Sequence, residues 1–232
     1  MLNKPVLVLG SKPGSKIPTN IDFKDVYTAN GAAEIGMNYK KLFSHSRLNC
    51  IVTMREFLKV DDVQKRILNS RPNRVIFRTT ERDVSDLFQK DCKIEQMSWP
   101  EQFRLQTKCI NFSPYSIFLG EIQKNEKIKD KFIYILNCIR KNKFLGVSTG
   151  FFAIMFAHQE NPNSDIVVSG IGMTGGMKFY ESKRDKKFNY TSRARVDRFI
   201  AKFLNKKIKS KIYSVDDDFI KNTKTKKINL FT

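Results

Sequence analysis

The sequence predicts an α/β fold: one parallel sheet with helices on both of its faces. Three observations predict it. Short, unbroken apolar runs such as Val6-Leu7-Val8-Leu9 and Ile166-Val167-Val168 stop at a glycine or shortly before one, as strands buried on both faces do. Segments with helical apolar spacing alternate with these runs. At 232 residues and 41% hydrophobic content, the chain can build one full core, and no linker or internal repeat divides it.

The first strand, Val6 to Leu9, is followed by the loop Gly10 to Ser15. A second strand, Val26 to Ala29, ends at Asn30-Gly31, and a helix from about Ala32 turns Ile35, Met37 and Leu42 toward the core. The third strand is expected over 49–53, a helix opened by Asp61-Asp62 over 60–68, and the fourth strand over 73–78. Periodicity is weak over 83–116, where Trp99-Pro100 reads as an irregular connection. Ile128, Phe132, Ile135 and Ile139 give 127–140 a helical spacing. Ser148 or Thr149 is a natural N-cap for the apolar helix reaching Ala157, which Asn161-Pro162-Asn163 ends. Then come a buried strand, 166–169, closed by Gly170; a helix over 197–205; and a last strand over 211–214. The domain is expected over 1–220, with residues 221–232 as a basic tail that has little apolar surface to bury.

Composition narrows the classes. No apolar stretch approaches the roughly 18 residues of a membrane span. The start lacks the apolar run and small-residue site of a secretion signal, so a cytoplasmic protein is expected. Cys50, Cys92, Cys109 and Cys138 form no CxxC pair, against both a disulfide scaffold and zinc; Cys50 and Cys138 read as core residues. His158 reads as a helix end and His45 as a loop residue, with a histidine base the minority reading for each. The net charge of +20 attracts polyanions: nucleic acid, anionic membrane or phosphorylated substrate.

In open α/β sheets, ligands bind beyond the carboxyl ends of the strands. Four segments fall at such ends or at helix starts: Gly10 to Ser15, Asn30-Gly31, Ser148-Thr149-Gly150 and Ser169 to Gly176. Glycines admit a ligand close to the backbone, and the helix start offers free N–H groups to a phosphate. Gly10 to Ser15 matches neither GxGxxG nor the P-loop, so each segment alone is an ordinary turn or cap. Together they predict one nucleotide pocket in a Rossmann-like domain.

These residues resemble the bacterial sialyltransferases of glycosyltransferase family 42, and more distantly the animal sialyltransferases. The matching pieces are Leu9 to Ser15, Thr28-Ala29-Asn30, Val147 to Gly150 with its helix, Ile166 to Ile171, Phe179-Tyr180, the helix containing Asp197, and Lys211-Ile212-Tyr213. The resemblance implies transfer of a CMP-activated acidic sugar, sialic acid or a related keto-sugar, with inversion and without a metal or cofactor. The acceptor would be a cell-surface glycan or glycolipid such as lipopolysaccharide or capsule. By position, Gly10, Ser11 and the backbone to Ser15 would lie near the phosphate and ribose, and Asn30 near the nucleotide. Ser148, Thr149 and Gly150 would hold the cytidine or the sugar carboxylate, Gly170 would edge the cytosine site, and Tyr180 would hydrogen-bond the departing phosphate. Residues 175–195 resemble the family's lid, with Gly175 and Gly176 as its hinge.

The chain departs from that pattern at two positions. The family's histidine base, just before the acid corresponding to Asp197, is replaced by Arg193 or Ser192, and arginine stays protonated. Arg193 or Arg195 would instead bind the phosphate or sugar carboxylate. Asp197, Glu34 and His45 remain candidates for the base. Thr174 stands where the family has a second phosphate-binding tyrosine. Asp216-Asp217-Asp218 suggests a DxD metal site, but its place after the last strand favours a helix N-terminus. A catalytically altered homologue using another donor, and a basic nucleic-acid-binding protein, are the alternatives; no aromatic-plus-basic RNA motif supports the second. Glycolipid acceptors and the basic tail lead to the expectation of peripheral binding at the inner face of an anionic membrane. Oligomeric state is left open.

Overall fold

The computed structural model describes residues 4–14, 16–42, 45–79, 82–111, 119–120, 122, 127–141, 146–174, 178 and 191–228. Its strands are β1 (Val6–Leu9), β2 (Asp25–Ala29), β3 (Arg47–Val52), β4 (Arg74–Phe77), β5 (Lys93–Gln96), β6 (Ile166–Ser169), β7 (Ile212–Ser214) and β8 (Lys226–Lys227). They form a single parallel sheet in the order β5-β4-β3-β2-β1-β6-β7-β8. β1 is central. The chain builds outward from it to β5, then returns to add β6 on its other side and builds outward to β8. The reversal between β1 and β6, paired from Val6↔Ile166 to Leu9↔Ser169, is the topological switch point of a Rossmann-like fold.

Alternation along the strands sends side chains to two cores. Leu7, Leu9, Val26, Leu48, Cys50, Val52, Val75 and Phe77 pack beneath α1 (Ala33–Leu42), α2 (Met54–Lys59) and α3 (Asp61–Asn69). Val6, Val8, Tyr27, Ile51 and Ile76 pack on the opposite face against α6 (Thr149–Glu160). That helix is buried continuously from Phe151 to Ala157, which is why its sequence is apolar all round. Asn161 stops it by donating from Nδ2 to Tyr27 Oη at 3.0 Å and to the Ala157 carbonyl at 3.2 Å.

The structure revises several expected elements. Residues 83–116 contain β5 and α4 (Trp99–Lys108), and Trp99-Pro100 opens that helix rather than marking an irregular connection. Ser98 and Glu101 form a capping box, and proline in the first turn forfeits no helical hydrogen bond. β5 is the half-exposed edge strand, so it carries no apolar run to betray it. The helix expected over 60–68 is α3, and the structure adds before it an unexpected α2, which Thr53 caps by accepting Glu56 N–H at 3.2 Å.

The helix expected over 197–205 is instead α7 (Thr191–Ala201) followed by a turn and the short α8 (Lys206–Lys209). Backbone pairing with 109–111 takes the chain out of helix there: Asn111 N donates to Phe203 O at 2.8 Å and Asn205 N to Cys109 O at 3.0 Å. The basic stretch from Lys221 is part of the fold as far as Lys227, in α9 (Asp217–Thr223) and β8, rather than a loose tail. Another described helix, α5 (Ile128–Lys141), lies where spacing predicts it, but Ile128, Phe132, Ile133 and Leu136 face outward.

Candidate functional site

At the switch point the turns after β1 and β6 touch backbone to backbone. Gly10 N donates to Ser169 O and Lys12 N to Gly170 O, each at 2.8 Å. A Cβ on Gly10 would stand 2.2 Å from Gly170 O, and one on Gly170 2.5 Å from Gly10 O. Gly170 also has φ +76°, a region that L side chains rarely adopt. Ile171 extends from this contact to Gly150 in the first turn of α6, whose Cβ would lie 3.4 Å from the Ile171 side chain. Gly10, Gly150 and Gly170, three of the sequence-predicted site residues, therefore converge on one isoleucine. Ser11 lies beside them, half-exposed.

The start of α6 is held from every side. Ser148 is the N-cap, its Oγ accepting Phe151 N–H at 3.2 Å. Gln106 Oε1 accepts Val147 N–H at 3.1 Å and fills the space beside Gly146, which has φ +61°. Arg78 at the carboxyl end of β4 is fully enclosed. It donates to Gln102 Oε1 and Val147 O, both at 3.1 Å, and more weakly to Thr149 Oγ1 at 3.4 Å. Its guanidinium sits 4.4 Å over the Phe152 ring, an arrangement that stabilises a buried cation. From α7, Arg193 Nη1 donates to Gly146 O at 2.6 Å and Asp197 Oδ1 accepts Ser148 N–H at 2.7 Å. Burial pushes the Asp197 carboxyl up to about 6, against the lowering effects of the Ser148 bonds and of Arg193 and Arg78.

Two polar oxygens on this rim lack partners. Asn30 Oδ1, at the tip of β2, and Thr79 Oγ1, just past β4, are buried with no hydrogen bond, although their residues are 8% and 6% exposed. Asn30 also adopts φ +53°, which asparagine tolerates better than most residues. A buried polar atom without a partner costs about 1–3 kcal/mol, and a ligand that donates to it removes the cost.

The acidic run forms the N-terminus of α9 and fastens the loop after β6. Asp216 accepts Gly170 N–H at 2.6 Å, and Asp218 accepts Met173 N–H at 3.0 Å and Thr174 Oγ1 at 3.3 Å. Lys12 Nζ stands 3.5 Å from Asp218, tying the loops after β1 and β6 together. Thr174 is thus engaged with Asp218 at an exposed position. Among the described residues no group of three or more His, Cys, Asp or Glu side chains is arranged to hold a metal. Lys178 pairs with Glu56 in the first turn of α2, so this one described residue of 175–190 reaches over the carboxyl end of β3.

Other expected residues sit elsewhere. His45 precedes β3 and His158 lies near the carboxyl end of α6, so both are at the amino ends of the strands, away from the rim. Burial, with Lys211 nearby, lowers the His158 pKa. Glu34 is in the first turn of α1, near the rim, and pairs with Arg66. Cys50 is a core residue, and burial pushes its thiol up to about 12. Ser15, Tyr180 and most of the expected lid lie outside the described residues, as does the Cys138 side chain. Sequence reasoning missed Arg78, Gln102, Gln106 and Thr79. A buried arginine at a strand end looks the same in sequence as an exposed one. No family model, curated protein or solved structure matches this chain.

Proposed function

We propose that the chain is a glycosyltransferase that moves an acidic sugar from a CMP-linked donor to a glycan hydroxyl. The observation that carries this reading is the meeting of Gly10, Gly150 and Gly170 around Ile171, beneath the N-terminus of α6. Gly10 and Gly170 N–H are already bonded within the fold, so the donors offered to a phosphate are those of Thr149 and Gly150 in the first turn of α6, where the dipole of a 12-residue helix favours negative charge. Asn30 Oδ1 and Thr79 Oγ1 add acceptors for ribose and sugar hydroxyls. The sialyltransferase resemblance selects cytidine over other nucleotides.

In the reaction an acceptor hydroxyl oxygen attacks the anomeric carbon as the bond to the phosphate oxygen breaks. CMP leaves with the electron pair, and the hydroxyl proton passes to a base. Charge builds on the leaving phosphate, where the α6 N–H groups and Lys12 supply stabilisation. Asp197, 1% exposed and bonded to Ser148, acts as a positioning residue for that helix start rather than as the base. Glu34, on α1 near the rim and partly exposed, is the remaining acidic candidate for the base.

The test is a thermal-shift comparison of CMP, UMP and ADP. CMP should raise the melting temperature well above the other two, and no shift at millimolar CMP removes the proposal. Tight, steeply salt-dependent binding to nucleic acid, with no CMP effect, would support the polyanion-binding alternative.

A further inference from the structure

α5 carries an apolar stripe that is exposed among the described residues. Ile128, Phe132 and Leu136, four residues apart, are 85%, 63% and 53% exposed, and Ile133 beside them is 46% exposed. Lys131, Tyr134 and Ile135 are half-buried, so the helix has an inner face and the stripe is its outer one. Isolated exposed apolar residues are ordinary, but a contiguous helical stripe marks an interaction surface.

Charge selects the occupant. Lys127 and Lys129 are exposed, and at 3.6 residues per turn Lys129 falls within the stripe, between Leu136 and Ile133. A two-fold contact with a second copy would bury the Lys129 of each chain between molecules that each carry +20. A bilayer reverses this penalty. Lysine stems lie along apolar surface while their ammonium groups reach the headgroups, and an anionic leaflet attracts the net charge. The helix has 14 residues, about 21 Å, shorter than the ~30 Å hydrocarbon core, so it lies in the interface rather than across it.

We infer that α5 docks the protein on an anionic phospholipid bilayer, its Ile128, Phe132, Ile133 and Leu136 side chains entering the headgroup–acyl boundary. The inference does not depend on the CMP-sugar reading. Lys221 to Lys227 are held in α9 and β8, where no large apolar side chain is exposed among the described residues, so insertion is assigned to α5.

The experiment is flotation of the full chain with vesicles of phosphatidylcholine, alone or mixed with phosphatidylglycerol. Wild type should partition at least tenfold more strongly to the anionic vesicles. The double variant Phe132→Asp/Leu136→Asp should lose tenfold or more of that binding. Phe132→Trp should show blue-shifted emission on anionic vesicles relative to wild type, whose one tryptophan is Trp99; this readout does not rely on the double variant's folding. Binding without the blue shift, or undiminished in the double variant, would mean charge alone acts and overturns the inference. A dimer of the wild type in solution that the double variant dissolves would also overturn it, assigning the stripe to a second copy.

Discussion

The Asp197 carboxylate accepts the backbone N–H of Ser148 at 2.7 Å, joining α7 to the first residue of the cap on α6. The bond satisfies a backbone donor next to a helix N-terminus with a buried charge, so the orientation of α6 depends on a residue 49 positions away. Arg193 to Gly146 and Arg78 to Val147 hold the neighbouring carbonyls, and together they fix the backbone at the start of α6.

Asp197 makes stability depend on pH in a defined direction. Its carboxyl moves from 3.8 unfolded to about 6 folded, so the contribution is fully present below 3.8 and is lost as pH rises through about 6. Urea unfolding of wild type and Asp197→Asn across this range should show the wild type losing stability relative to the variant as pH increases. Parallel curves would remove the buried, raised carboxyl.

Glycines at the switch point should differ sharply from one in open space. Gly10→Ala and Gly170→Ala force a methyl group into backbone and should each cost about 2–4 kcal/mol. Gly14 also has positive φ, but a Cβ there meets nothing within 4 Å, so Gly14→Ala should cost only about 1 kcal/mol. Chemical denaturation of the three variants tests the ranking.

Arg78→Met should destabilise by about 3–5 kcal/mol, because it leaves Val147 O and Gln102 Oε1 buried without a donor. Arg78→Lys should recover only part of this loss, since a single ammonium cannot span the fork or stack as well on Phe152. Full recovery in the lysine variant would show that charge rather than geometry matters.

Thr79→Val separates ligand binding from folding. The hydroxyl has no partner, so its removal should leave the free protein as stable as before or up to about 1 kcal/mol more stable. Under the proposed function it should weaken binding of the sugar nucleotide, read as a smaller ligand-induced thermal shift. A destabilised free protein would place that hydroxyl in the structural network instead.

The sequence by itself determined the layers of this protein and the locations of its turns. Val6–Leu9 and Ile166–Ser169 are apolar enough to be read as buried strands, and the Ser148 cap opens a helix apolar on every side, because burial on both faces leaves a mark at each position. Only the tertiary structure decided what those turns meet. That Gly10 lies against Gly170 follows from β6 returning beside β1 after four strands have built outward, a pairing no local pattern encodes. The polar edge strand β5, the enclosed Arg78 and the termination of α7 by pairing with Asn111 likewise depend on partners distant in the chain. Periodicity reports whether a residue is buried; it carries no record of which groups, brought in from elsewhere, complete its hydrogen bonds.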